Sequence, residues 1–437
     1  MKRFLWLVPL AAMIAVGCGG GSSSMPWEDE LGGGNNGGGT NPDDNQGQQE
    51  ELIGKTLPAW SEGCLDIHLI NTGRGECNFY ILPDGTTLLI DAGELPLTYG
   101  DGPCPQRPSS VIRPYETYAR YIKHFMPQGK SAIDYCAPSH FHIDHIGTPT
   151  AATETAPAEA GGYRKSGLLA LYDLVPYVHV IDNAYPGYKE DDVTPALDGE
   201  LAQDWGKFVT WGVQAGKFTG ARFTPGTEQI VLLNNKDAYS NFRVFNICAN
   251  GFVWMKDAQG KGYVGGSKSD KGNPSCCGIH ITYGKFDHVA CGDLTSTPQN
   301  LFANYYRDFI GNGKLDSFKT HHHFGANSWG SKMREYGFNP RVVLNHSMYK
   351  GQPNPEMLDN IFNQKNNFPF WVKDFFTTNG HSEAVAQYAE LYNKLAGYNG
   401  HIVLRVDKGG DKFYVYMLDD SNFEYKVKSI HGPYSSK

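Results

Sequence analysis

Apolar residues in this chain gather in short runs of four to six, separated by turn residues, with longer amphipathic stretches between them. Runs of that length read as strands covered on both faces, and spacings of three and four read as helices. Strands are expected over 65–70, 79–82 and 87–90, the last two joined by the turn Pro83-Asp84-Gly85. A helix over 114–126 aligns Tyr118, Tyr121, Ile122 and Phe125 on one face, and a strand over 132–137 then leads into a histidine-rich loop. Residues 150–265, rich in Gly and Tyr, give weaker signals, with strands expected at 229–233 and 241–247. Beyond them a hairpin of 276–282 and 286–290 turns at Tyr283-Gly284-Lys285, and a short strand enters His321-His322-His323. Helices over 298–309, 354–363 and 382–395, with strands at 342–345, 401–406 and 413–418, complete the pattern. Strand runs followed by helices, twice over, predict two sheets packed face to face with helices outside.

The N-terminal residues follow another rule. Lys2 and Arg3 precede an apolar run over 4–16, a leader too short to span a membrane comfortably. It ends at Ala15-Val16-Gly17-Cys18, which resembles the cleavage box of bacterial lipoproteins, where the cysteine receives the lipid. Residues 1–17 are therefore expected to be a lipoprotein signal peptide, and 18–57, made of Gly, Ser, Asn, Gln and acids, a flexible tether. The resemblance implies a bacterial cell-envelope protein held to a membrane through Cys18. Gly19 in place of aspartate favours the outer membrane or the cell surface. Residues 58–437 are expected to form one body, with an insertion at about 150–265.

The net charge of −8 is concentrated in the tether, which sets seven acids against Lys55. The body is nearly neutral, so charge argues neither for nor against a polyanionic substrate. Aromatic residues at 13% supply ample core. Cysteines 64, 77, 104, 136, 248, 276, 277 and 291 show no paired spacing, so disulfides and buried thiols both remain open.

The chemistry is concentrated in His140-Phe141-His142-Ile143-Asp144-His145. Neutral imidazole and carboxylate are the donors that zinc and similar divalent ions prefer. His140 and His142 are placed to serve one ion, and Asp144 and His145 a neighbour. A metal-free histidine turn is the bland alternative, but three of only 15 histidines fall within these six positions.

Together these pieces resemble the metallo-β-lactamase superfamily, whose fold is a four-layered αββα sandwich. Asn71 to Cys77, then Leu88-Leu89-Ile90-Asp91-Ala92-Gly93, look like its opening hairpins, and the histidine loop is similar to its HxHxDH signature. Gly292-Asp293 resembles its later aspartate motif. Lys319 to Ser328 is similar to the Lys-Val-Pro-His-His-Gly-Ser pattern of the competence-protein (ComEC-like) branch, although Phe324 and Gly325 replace Gly and Ser. The resemblance implies His140 and His142 on a first ion, Asp144 and His145 on a second, and Asp293 bridging them as a catalytic residue with Asp144. Counting from Lys319 puts His322 at the ligand position, leaving His323 and Ser328 to substrate, and Asp91 would brace the histidine loop. His280 and His288 are expected to face each other across the hairpin, His288 lying on the order of 16 Å from Asp293 at about 3.3 Å per residue. Neither then reaches an ion held by Asp293. The third contact to the first ion is expected from 270–277, where Asn273-Pro274-Ser275 resembles that branch. His68, His179, His381 and His401 read as structural, and His346 ends a strand close enough to approach the cleft.

The resemblance implies an exported, lipid-anchored hydrolase using a metal-bound hydroxide, with two divalent ions, zinc first and manganese or iron as alternatives. Such a pair sits ~3.5–4 Å apart and activates water for attack on phosphorus or a carbonyl carbon. A phosphoester is the substrate expected, small or within a nucleic acid; no protein partner is implied. The alternatives are a lactam, lactone or thioester hydrolase, and a catalytically silent binding lipoprotein.

Overall fold

The computed structural model describes residues 51–437 apart from 101, 198, 312 and 366–371. The expected signal peptide and nearly all of the tether therefore lie outside the described residues. The strands run in chain order as β1 (Leu65–Leu69), β2 (Asn78–Ile81), β3 (Thr87–Ile90), β4 (Ile133–Cys136), β5 (Tyr177–Asp182) and β6 (Thr219–Arg222). Next come β7 (Phe242–Ala249), β8 (Phe252–Lys256), β9 (Gly262–Gly266), β10 (Gly278–Tyr283), β11 (Phe286–Ala290), β12 (Ser317–Lys319), β13 (Val342–Asn345) and β14 (Asp374–Thr377). The last three are β15 (His401–Val406), β16 (Lys412–Leu418) and β17 (Val427–Ser435). They form a nine-stranded sheet, β17-β16-β15-β1-β2-β3-β4-β5-β6, and an eight-stranded sheet, β14-β13-β12-β11-β10-β7-β8-β9.

Alternation along each strand explains the layering. Leu65, Ile67 and Leu69 of β1 and Ile402 and Leu404 of β15 point inward, against Val244, Ile279, Ile281 and Leu344 of the other sheet. The opposite face of the first sheet, with Phe79, Ile81 and Leu89, is covered by Tyr118, Tyr121, Ile122 and Phe125 of the helix Pro114–Phe125. The helices Gly167–Leu174 and Gly199–Gln214 cover the same side through Leu168, Trp205 and Phe208. On the outside of the second sheet, Phe302 of the helix Ser296–Tyr305 and Leu358 of the helix Pro355–Phe362 pack with Phe318, Val343 and Phe375. The order is helix, sheet, sheet, helix, the expected four-layered α/β sandwich.

Several elements differ from the expectations. Residues 150–265 are integral to the sandwich rather than an insertion, since they supply β5 and β6 to the first sheet and β7, β8 and β9 to the second. Residues 229–233 do not form a strand. Their backbone donors are met by side chains instead: Val231 N–H by the Tyr135 hydroxyl at 3.5 Å, and Leu233 N–H by Thr86 Oγ1 at 2.8 Å. The helix expected over 382–395 breaks at Tyr388 (φ −123°, ψ 39°) into Ser382–Gln387 and Ala389–Tyr392. The body also begins earlier than residue 58. Gly54 N–H donates to Val427 O at 2.8 Å, and Leu57 is buried. The eight cysteines of the body are buried free thiols. No helix among the described residues is long and apolar enough to cross a membrane.

Both faces of the first sheet are covered, so the polar residues of β1 must be paired internally. Asp66 faces Arg405 directly across the β1–β15 ladder, and the guanidinium grips both carboxylate oxygens at 2.8 and 2.6 Å. Burial raises the Asp66 pKa, but Arg405 outweighs it and brings the carboxyl down to about 2. Replacing Arg405 by Met strands a buried charge and is expected to cost about 3–5 kcal/mol, read by urea denaturation at neutral pH. Because the folded pKa lies below the unfolded one, Asp66 stabilises fully above about pH 4 and loses that contribution as pH falls through about 2. Unfolding midpoints between pH 2 and 6 should therefore slope in the natural protein and lose this slope in Arg405→Met.

Candidate metal centre

The histidine loop is held by the two segments that pass beside it. Asp91, just after β3 and in the left-handed region at φ 66°, accepts from Ser139 N–H and Ser139 Oγ, both at 2.7 Å, and from His145 Nδ1 at 2.8 Å. This is the bracing part expected of it. Backbone bonds from Glu76 N–H to Asp144 O (2.8 Å), Ala92 N–H to His145 O (2.8 Å) and Glu94 N–H to Ile143 O (2.9 Å) stitch the loop down. The approach is so close that a Cβ on Gly93 would lie 1.8 Å from Asp144 O, so only glycine fits there.

His145, Asp144 and Asp293 converge. His145 Nε2 lies 3.1 Å from Asp293 Oδ2 and 3.8 Å from Asp144 Oδ2. Asp293 is set by its own N–H, which donates to Cys276 Sγ at 3.2 Å. The rings of His140 and His145 are 4.2 Å apart, and those of His140 and His142 are 4.5 Å apart, so all the loop's donors crowd one place.

The adjacent pair His322 and His323 exchange the places expected of them. His323 Nε2 is 3.1 Å from Asp293 and 3.2 Å from Asp144. His322 turns away, within 3.2 Å of Asn273 Nδ2 and 2.7 Å of Asn327 Oδ1. The cause is backbone: His322, His323 and Phe324 have φ of 44°, 52° and 57°. A count that assumed ordinary backbone misses this turn, whose left-handed residues each cost about 1–2 kcal/mol. Asn273, within the segment expected to help the first ion, borders the cleft beside His322. Ser328 is buried and donates to His322 O at 3.4 Å, so it buttresses the turn and does not line the cleft.

His280 and His288 do not face each other across the hairpin. The register pairs His280 with Val289 and Ile281 with His288, so the two rings point to opposite faces. His280 meets Asp287 and the Tyr305 hydroxyl, whereas His288 meets Ser317 Oγ at 3.1 Å. Neither belongs to the cluster. His346 is buried with Nε2 3.1 Å from Asn78 Oδ1.

Two further residues belong to the site. Glu76 Oε2 lies 3.5 Å from His323 Nδ1 and 2.6 Å from Lys319 Nζ, all three residues being buried. One ligand atom each from Glu76, His145, Asp293 and His323 can be chosen so that all lie within 4.8 Å of one another. A lone glutamate between Gly75 and Cys77, leading into an apolar strand, is the signal that could have pointed to it: a buried acid demands a partner.

Electrostatics follow from this crowding. Burial disfavours charge on His145 and His323, yet Asp293 and Asp144 overcome it, lifting His145 well above the usual imidazole range and His323 to about 9. Burial lowers His140 far below that range, and repulsion from His145 and His142 adds to it. Burial raises Glu76, but Lys319 outweighs it and draws the carboxyl down to about 2. Nε2 of His140, His145 and His323 and Oδ1 of Asp293 are buried without a hydrogen bond. Each such atom costs about 1–3 kcal/mol unless something else satisfies it. A divalent cation fits this mixed imidazole–carboxylate set, and Asp91 on His145 Nδ1 leaves Nε2 as the donor. Binding it requires the histidines to give up their protons.

A cleft of about 530 Å³ opens above these groups, walled by Tyr99, Phe141, His142, Asn273, Tyr349 and Gln352. No protein-family model matches the chain, and no curated protein matches it in sequence. Among solved structures it is similar to CmlA, a diiron β-hydroxylase from Streptomyces venezuelae, at 12% identity over 80% of this chain and 55% of that one, with a TM-score of 0.35. It is also similar to a metallo-β-lactamase from Cronobacter sakazakii (14% identity, 79% and 96% covered, TM-score 0.29). The short form of human tRNase Z matches at 10% identity, with 75% and 88% covered and a TM-score of 0.26. These superpositions are loose, and the functional reading falls to the chain's own side chains.

The swap of adjacent histidines is directly testable. His323→Ala should lose bound metal by elemental analysis of the purified protein, while His322→Ala retains it. Asp91→Asn, which removes the charge behind His145, should weaken metal affinity roughly 10–100-fold.

Proposed function

We propose that this protein is a metal-dependent hydrolase that cleaves a phosphoester bond in a small substrate. The observation that carries the reading is the convergence of His145, His323, Asp144 and Asp293, with buried imidazole nitrogens facing carboxylates without a well-formed hydrogen bond. Two divalent ions would be held by these residues with His140, His142 and Glu76 at hand. Zinc suits the mixture of imidazole and carboxylate, with manganese or iron as alternatives. When bound, such ions supply Lewis acidity and acidify water near neutral pH.

The remaining work falls to the chain. Asp144, with its side chain 16% exposed against 2% for Asp293, faces the cleft and can hold the proton that the attacking water gives up. Water oxygen then bonds to phosphorus, the bond to the leaving oxygen breaks, and the proton passes to that oxygen. Asn273 and His322, at the rim, orient the substrate. Lys319, neutralised by Glu76, fixes the carboxylate behind His323 rather than reaching substrate.

A second reading, hydrolysis of a lactam, lactone or thioester, is favoured by one observation: among the described residues no lysine or arginine lines the cleft. Attachment to the outer membrane through Cys18 belongs to the proposal and rests on residues 2–19 alone.

Metal-loaded protein should hydrolyse bis-p-nitrophenyl phosphate and leave nitrocefin intact. The reverse result establishes the second reading, and silence toward both with metal bound leaves a binding protein. Asp144→Asn, which removes both a ligand carboxylate and the proton acceptor, should lower bound metal by elemental analysis and lower kcat by about 10²–10⁴-fold even at saturating metal. Cys18→Ser should move the protein from the membrane pellet to the soluble envelope fraction.

A further inference from the structure

The lining of the cleft narrows the substrate further. A nucleic acid strand is held by about one cation for each phosphate contacted. No lysine or arginine among the described residues lines this cleft. Lys319, beside the cluster, is buried and committed to Glu76 at 2.6 Å. Glu200, the acid at the rim, has its own partner in Arg164 at 3.0 Å.

What the wall offers is aromatic surface. The rings of Tyr99 and Tyr349 lie 6.2 Å apart and are tilted by 57°, forming an open corner. Tyr99 is 41% exposed. The Tyr349 side of the corner is tied down: Pro103 bridges Tyr349 in a short antiparallel pair, and Cys104 N–H donates to Met348 O at 2.6 Å. Both rings overlook the reacting groups. Burial raises both phenol pKa values, Tyr349 to about 12, and the charge of Asp144 raises them further. The phenols therefore stay protonated, and Asn273 and Gln352 add uncharged hydrogen-bonding groups to the same wall.

We infer that the cleft takes a compact diester bearing a flat aromatic group, which lies against Tyr99 and Tyr349 while the ester reaches Asp144 and Asp293. The two tyrosines set specificity, and nucleic acid is excluded. This rests on the phosphoester reading above.

The test compares methyl p-nitrophenyl phosphate with bis-p-nitrophenyl phosphate, which share a leaving group and differ only in the group retained. The metal-loaded natural protein should favour the diaryl ester in kcat/KM by roughly tenfold, the scale of one aromatic contact. Tyr349→Ala, and separately the exposed Tyr99→Ala, should erase most of that preference by raising KM for the diaryl ester alone. A single-stranded oligonucleotide should be left uncut. Turnover of both esters with a ratio that neither substitution alters, or efficient cleavage of the oligonucleotide, overturns the inference and leaves the hydrolase standing. Turnover of neither ester overturns both.

Discussion

Four carboxylates, those of Glu76, Asp91, Asp144 and Asp293, are packed around one point with little or no access to water. Acids so placed repel one another strongly and persist as anions only where positive charge is brought among them. Lys319 answers Glu76, His145 sits between Asp91 and Asp293, and His323 lies against both Asp144 and Asp293. The arrangement has an appetite for cations, and the fold around it is largely the means of holding it together.

That means is the junction of the two sheets. Asp91 follows β3 of the first sheet, the histidine loop follows β4, Asp293 follows β11 of the second sheet, and the turn with His323 follows β12. Each is thus delivered by the end of a short, largely buried strand, where the apolar layers leave little freedom to drift. The chemistry is assembled from four strand ends, while the walls of the cleft come from the loops beyond them.

Much of this was legible in the residues themselves. The apolar runs marked β3, β11, β13 and β15 at their observed bounds, and the histidine loop announced its chemistry by composition alone. Other parts were hidden for definite reasons. β9, Gly-Tyr-Val-Gly-Gly, carries too little apolar signal to read as a strand, and β17 includes a glycine and a proline. The exchange of His322 and His323 depends on three left-handed residues that no spacing rule encodes. Glu76 and Lys319 are far apart in the chain and become partners only once the sheets meet. The one-residue slip in the β10–β11 register followed from taking Tyr283-Gly284-Lys285 as the turn, where Tyr283 pairs with Phe286 and leaves a two-residue loop.

The strand order of the first sheet has a consequence for how the molecule is born. β1 lies between β2 and β15, and the Asp66–Arg405 contact closes a loop of 339 residues. An interior strand of that sheet thus has one flank open until nearly the whole polypeptide has emerged. Contacts so distant along the chain slow folding, and an unpaired apolar edge is prone to aggregate while it waits. Its maturation should therefore be a late, concerted event that profits from a chaperone, not one that proceeds piecemeal from the first strands synthesised.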